Sequence, residues 1–399
     1  MAQIDERIRN PIPTAELERR WSRVREVMAD AKVEALVIQG ANNFVGLGGY
    51  FRWFTGIPPL GSYPMTVIFP ATGPMTIVHH GDFGGEATLD PVNGPHYGIA
   101  RRLTAPMFPA VFYCADFDAD LVAGEIKKSG FKTIALIGAQ MMNHGFARRL
   151  LQQLSGVNFA DITEALDLIK AVKSAEDIGW IRKVAAMQDE IFSKVLAHVK
   201  PGMHDYEVMA YSDYIGEMLG GETGYFLGSS SPPDKPALFR MKSQHGRRME
   251  KGDVLVWQAE NTGPGGYFTH ICRYVVLGKA PQELLDMIGQ CIEMQKYTLS
   301  LLKPGAKCSD VFAHYNAAMN KRSYQEEKRL HCHGQGYENV ERPLIRNDET
   351  MQIAADMNIG IHPIIANERV AATISDNFLT CADGSTERLH QTAQKVFEL

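Results

Sequence analysis

The chain has 399 residues, 45% of them hydrophobic and 22% charged, which is the balance of a folded globular protein and excludes global disorder. That length suits two domains of about 150–200 residues each. With 41 Lys and Arg against 46 Asp and Glu, the net charge of −5 offers no broad positive field, so nucleic-acid binding is not expected.

The amino terminus, MAQIDERIRNPIP, is polar and carries two prolines, so it does not read as a signal peptide. Residues 14–32 space Leu17, Trp21, Val24 and Met28 by threes and fours, the pattern of an amphipathic helix. β-rich runs follow at 35–39, 65–70 and 75–80, the last two joined by ATGP and expected to form a hairpin. Helices at 118–130 and 142–154 flank a strand at 133–138. This pattern predicts an α/β domain over 1–163 and a second domain over 164–399.

The second part opens on long helices. Ser174 and Asp177 form a capping pair, Ile178, Ile181, Val184, Ala185 and Ile191 a buried stripe, and Pro201–Gly202 a stop. Asp205 and Glu207 suit the start of the next helix. From 250 onward, runs such as 253–260 and 267–277 predict an antiparallel sheet with helices on one face, the GPGG at 263–266 being a hairpin turn rather than a phosphate cradle. Six cysteines without CxxC spacing fit a reducing compartment. No apolar run of about 18 residues is present, so a soluble, cytoplasmic protein without membrane association is expected.

Six segments in order carry a resemblance. IKAVKSAEDIGWIRKVA (169–185) and VKPGMHDYEV (199–208) are followed by KGDVLVWQAENTGPGGYFTHICRYVVLGK (251–279). CHGQGYENVERPL (332–344), IGIHPIIA (359–366) and ISDNFLTCADGSTERL (374–389) complete the series. Together they resemble the creatinase/prolidase/methionine-aminopeptidase superfamily, the peptidase M24 group. NNFVGLGGYFRWFTGIP (42–58) is similar to the extra amino-terminal domain of its creatinase and prolidase branch. The resemblance implies an α+β architecture, with an α/β creatinase-like amino-terminal domain and a pita-bread carboxy-terminal domain. It also implies a homodimer in which the amino-terminal domain closes the neighbour's site on a small-molecule substrate.

The family's enzymes bridge two divalent metals with two Asp, one His and two Glu. Carried over by motif, the first Asp falls near Gln258–Glu260, most simply on Ala259, and the second on His270. The His is His333, the first Glu falls on His362 and the second on Ser375, next to Asp376–Asn377. Two dications need bridging anionic oxygens, and these residue types do not supply them, so an ordinary dinuclear aminopeptidase is not expected. His270, His333 and His362 fall around one of the family's two metal positions. They are therefore expected to converge, either on one Zn, Fe, Mn or Ni ion per chain or on a metal-free centre worked by an imidazole. The creatinase-type histidine has no counterpart in FLGSSSPPDKPALFRMK at 226–242.

Glu260 and Glu341 are candidate acid/base or orienting carboxylates, although Val340 replaces the histidine that accompanies Glu341 in the family motif and a salt bridge would also explain it. Arg52, Tyr63, His331 and Ser375 are candidate substrate contacts, with Arg52 also readable as a surface residue. His331 lies two residues from His333 and is expected on the same strand face, with Cys332 on the other, in the core. The expected function is a hydrolase of a C–N bond in a small polar metabolite. A lyase eliminating a leaving group, and a non-catalytic binding protein on the same scaffold, are the alternatives.

Overall fold

A computed structural model describes residues 8–40, 49–58 and 63–399. Two compact units emerge, Met1–Lys170 and Ala171–Leu399. The division falls within helix 163–171 rather than at the 163/164 boundary expected from sequence. Residues 42–48 of the segment similar to the creatinase branch lie outside the described residues.

In the first unit, α1 (Thr14–Asp30) buries Leu17, Trp21, Val24 and Met28, the stripe its spacing predicts. Next come β1 (Ala35–Gly40), α2 (Tyr50–Thr55), β2 (Met65–Pro70), β3 (Met75–His80), β4 (Gly85–Thr88) and β5 (Ile99–Ala105). The unit continues with α3 (Phe117–Ser129), β6 (Thr133–Ile137), α4 (His144–Gln153), β7 (Asn158–Ala160) and α5 (Thr163–Ala171). Among the described residues the strands form a mixed sheet in the order β4-β5-β3-β2-β1-β6-β7, with β2 and β3 paired antiparallel as the expected hairpin. Ala119, Val122, Ile126, Phe146 and Leu150 of α3 and α4 close one core with Val37, Ile68 and Val78. Removing such side chains from water is worth roughly 1.5–3 kcal/mol each for the larger ones.

The second unit begins with α6 (Ala175–His198), whose start is held by a reciprocal box: Ser174 Oγ accepts from Asp177 N, and Asp177 accepts from Ser174 N. Such a cap contributes about 1 kcal/mol. Then come α7 (Asp205–Met218), β8 (Gly224–Ser231), β9 (Val254–Thr262), β10 (Phe268–Val276), α8 (Gln282–Leu301) and α9 (Cys308–Lys321). The carboxy-terminal strands are β11 (Cys332–Gly334), β12 (Glu341–Leu344), β13 (Asn358–Ile361), β14 (Ile364–Ala366), β15 (Ala371–Thr373), β16 (Asp376–Thr380), β17 (Thr386–Arg388) and β18 (Val396–Glu398).

Two sheets position the site. One runs β18-β10-β9-β8 and the other β12-β11-β13-β16-β17. They are stitched together where Cys272 of β10 bridges Ser375, just before β16, and where Phe268 N donates to Gly336 O. Helix α8 covers a core containing Val254, Val256, Cys272 and Tyr274, while Val311 of α9 packs with Cys332, Ile359 and Ile361. Cys332 is fully buried there, as its alternation predicts.

Candidate active site

Three histidine rings from separate stretches of chain meet between the two sheets. His270 comes from β10, His333 from β11, and His362 from the residue after β13. Their ring centroids lie 5.2 Å (His270–His333), 5.4 Å (His270–His362) and 5.1 Å (His333–His362) apart. The register explains the meeting. His333 pairs directly with Gly360, so a side chain at 360 would stand beside it, and His362 follows on the same strand face two residues on. Gly360 has no side chain, and the His270 ring fills that space: a Cβ on Gly360 would lie 1.9 Å from His270 Nε2.

The hydrogen bonds of the rings differ. His333 Nδ1 lies 2.9 Å from Gly334 O. A carbonyl only accepts, so Nδ1 carries the proton and Nε2 keeps a lone pair. His270 Nδ1 lies 3.1 Å from Ser375 Oγ, while its Nε2 is buried without a partner. Burial is the first cause that lowers the basicity of all three. It takes His333 down to about 4, and His270 and His362 lie well below the usual imidazole value, with neighbouring rings adding to the effect. At neutral pH the centre is a cluster of uncharged imidazoles.

Glu260 pairs directly with His270 across the β9–β10 hairpin, so both side chains share one face. Tyr225 Oη donates to Glu260 Oε2 at 2.8 Å and Gln258 Nε2 donates to the same oxygen at 3.2 Å. Burial raises the Glu260 carboxyl above its ordinary value, and these donors partly oppose the rise. Ala259, the simplest sequence assignment for the first Asp, turns to the other face against Ile271 and Phe226. The site face at that point belongs to Gln258 and Glu260. The assignment failed because the hairpin register, invisible in one sequence, decides which residue of the three faces inward.

Glu341 opens β12 and forms a buried ion pair with Lys173, near enough for its charge to raise the His333 imidazole. His331 does not join the trio. It is fully buried, stacks on Tyr315 of α9 at 3.5 Å, and its Nε2 meets Thr298 Oγ1 of α8 at 3.1 Å. Thr298 Oγ1 donates to Met294 O and so accepts from His331. Asn377, beside the matched Asp376, is also fully buried; it accepts from His270 N and donates to Gln335 and Asn358, a polar layer beneath the rings.

Arg52 and Tyr63 lie in the first unit, whereas the three histidines belong to the second. Arg52 is 3% exposed, which corrects the surface reading: every residue of the short helix α2 is buried. Tyr63 stacks on His80 at 4.2 Å, and His80 Nδ1 donates to Met107 O. Sequence reasoning missed Gly360, Tyr225, Lys173 and Arg329. The exposed Arg329 guanidinium acts on Glu260, Tyr225, His333 and His362 alike. A signal for Gly360 was present, because in IGIH a glycine stands two residues before His362 on the same strand face.

Among the described residues, no group of three or more His, Cys, Asp or Glu is placed to hold a metal ion. The rings of the expected three-histidine set lie side by side, at centroid separations of 5.1–5.4 Å. His270 Nε2 rests on Gly360, and the Nδ1 atoms of His270 and His333 are already taken.

Comparisons with known proteins agree with this architecture. The sequence pattern of metallopeptidase family M24 matches residues 179–381. The ectoine hydrolase of Halomonas elongata is 24% identical over 326 residues, 78% of each chain. A Xaa-Pro dipeptidase of Pyrococcus horikoshii is 23% identical over 277 residues, 67% of this chain and 75% of that one. Among solved structures, an X-Pro aminopeptidase from Thermotoga maritima superposes with a TM-score of 0.75 at 17% identity, covering 95% of this chain and 99% of that one. A Xaa-Pro dipeptidase from Bacillus anthracis gives 0.75 at 14% identity, covering 96% of this chain and all of the other.

Proposed function

Because the chain belongs to metallopeptidase family M24, with the pita-bread fold of the creatinase/prolidase superfamily, we propose that it is a hydrolase cleaving a C–N bond in a small polar metabolite at a metal-free histidine centre. The observation that carries this reading is the meeting of three imidazoles around one point, where the family resemblance puts two metal-binding carboxylates and a histidine. A two-ion centre does not fit this donor set. Three imidazoles and a serine hydroxyl supply no anionic oxygen to bridge two dications.

In this reading His333 Nε2, with its lone pair free, takes a proton from water as the water oxygen bonds to the substrate carbon. Glu260, whose carboxyl burial shifts toward the protonated form, gives its proton to the departing nitrogen as the C–N bond breaks. Water's second proton leaves with the acid product, and His333 returns its proton to reset Glu260.

The test is hydrolysis of a panel of creatine-like compounds, dipeptides and small amides, with and without a strong chelator. Turnover is expected to survive chelation and to fall by about 100-fold or more in His333→Ala. Chelator-sensitive turnover would overturn the metal-free centre. No turnover across the panel in a protein that binds one of its members would favour the binding scaffold.

A further inference from the structure

We propose that the outer edge of β14, with the acidic groove beside it, is a docking site for an extended, basic polypeptide segment that adds to the β14–β15 hairpin as a further strand. The proposal does not depend on the hydrolase reading above.

The edge comes first. Among the described residues β14 has β15 as its one strand neighbour. Bonded pairs alternate with non-bonded pairs along an antiparallel ladder. Asn367 N donates to Val370 O at the hairpin turn, so Ile365–Ala372 is the next bonded pair. Ile364 and Ala366 therefore turn their N–H and C=O groups away from β15. Both residues are exposed, whereas Ile365 between them is buried. Such a row of backbone groups is a template for another chain, and the strand itself, Ile-Ile-Ala, carries no charge to repel one.

A groove of about 710 Å³ follows this edge, with residues 364–367 on one side and 323–327 on another. That size lies in the range of about 300–1,000 Å³ typical of ligand-holding clefts. Met287 of α8 and Met319 of α9 give it an apolar wall of adaptable side chains. Its charged lining is Glu283, Asp286, Glu326 and Glu327, with no Lys, Arg or His among the described residues. Glu283 is paired with Arg369. The other three accept from uncharged groups: Asp286 from Gln282 Nε2, Glu326 from Asn320 Nδ2 and Glu327 from the backbone N of Arg329.

The combination selects the occupant. A small polycation would answer the carboxylates but leave the row of backbone groups unused. An acidic peptide would use the row but be repelled by the carboxylates. An extended segment rich in Lys or Arg, alternating with apolar residues, satisfies both, because successive side chains of a strand point to opposite faces.

The test is calorimetric titration of the full chain at low salt with a capped hexapeptide of three Lys-Val repeats, beside three Glu-Val repeats and spermine. The basic peptide is expected to bind saturably, about tenfold or more tighter than the other two, and to weaken as salt is raised. In the complex the amides of Ile364 and Ala366 are expected to exchange about tenfold or more slowly, with Ile365 unchanged. Ala366→Pro, which removes one outward N–H, and the double variant Glu326→Gln with Glu327→Gln, which leaves the backbone as it is, are each expected to weaken binding about tenfold or more. Absence of saturable binding by the basic peptide would overturn the proposal. So would equal binding of the acidic peptide or spermine, or a bound basic peptide that leaves the Ile364 and Ala366 amides exchanging as before. None of these readouts involves turnover, so failure of the hydrolase reading is seen separately in the substrate panel.

Discussion

The basicity of a single residue sets the expected pH behaviour. His333 is held down to about 4, first by burial, with its Gly334 hydrogen bond working in the other direction. As a proton acceptor it must be neutral, and a group titrating near 4 is neutral throughout the physiological range. The acid limb of kcat/KM is therefore expected only below about pH 4, with a fall of tenfold per unit. A typical imidazole base would instead lose activity below about pH 6.5. Glu260 must keep its proton to act as the acid, and burial raises its carboxyl, so the alkaline limb belongs to that residue. The pH–rate profiles of the native chain and of Glu260→Gln check both limbs: the variant is expected to lose the alkaline one. An acid limb centred near 6.5 would remove His333 from the role.

At the scale of elements, strand pairing decides what the site contains. The pairing of His333 with Gly360 leaves a hole that the His270 ring occupies, so Gly360→Ala drives a methyl group into a ring also bonded to Ser375. The expected result is a loss of about 1–3 kcal/mol in unfolding free energy, the cost of overpacking. A fall in activity on the order of 100-fold is expected with it, because His270 must move by about 1 Å or more. Denaturant unfolding and turnover measure the two, and unchanged activity would show that the His270 ring is not needed where it lies. A second expectation concerns the entry to α6. Lys173 is paired with Glu341 of β12, with side chains 4% and 7% exposed. Removing one partner of a buried ion pair costs about 3–5 kcal/mol. Lys173→Met is expected to lose that much, and adding Glu341→Gln to recover part of it; if the double variant is no more stable than the single one, the pair is not what holds the two elements. Both features show the limit of a single sequence. The motif order placed His270, His333 and His362, but hairpin register moved the inward position from Ala259 to Gln258 and Glu260. Packing by α8 and α9 took His331 away from the site, where strand alternation alone had put it beside His333.

Across the whole molecule, the order of elements was readable because each carries its own local signal: the apolar spacing of α1, the turn between β2 and β3, and the capping pair before α6. What could not be read was which polar residues the units enclose, since burial depends on contacts distant in sequence. Arg52 is one case, and Asp118 is another with a measurable consequence. Asp118 is 3% exposed at the start of α3, accepting from Gln39 Nε2 at 2.9 Å and from Ala119 N. Burial, only partly offset by these donors, raises its carboxyl from 3.8 to about 7. A folded-state value above the unfolded one means that the folded first unit binds the extra proton. Its stabilising effect is fully present below about pH 3.8 and is lost as the pH rises through about 7. At about 1.4 kcal/mol per pH unit, raising the pH from 5.5 to 8 is expected to cost the first unit roughly 2 kcal/mol. Urea unfolding at the two pH values, followed by hydrogen exchange in β1 and α3, reads this unit apart from the second. Asp118→Asn, which cannot ionise, is expected to flatten the dependence whatever it does to stability at a fixed pH. A native first unit equally stable at both values, or a variant keeping the full slope, would show that the Asp118 carboxyl is not the group responsible.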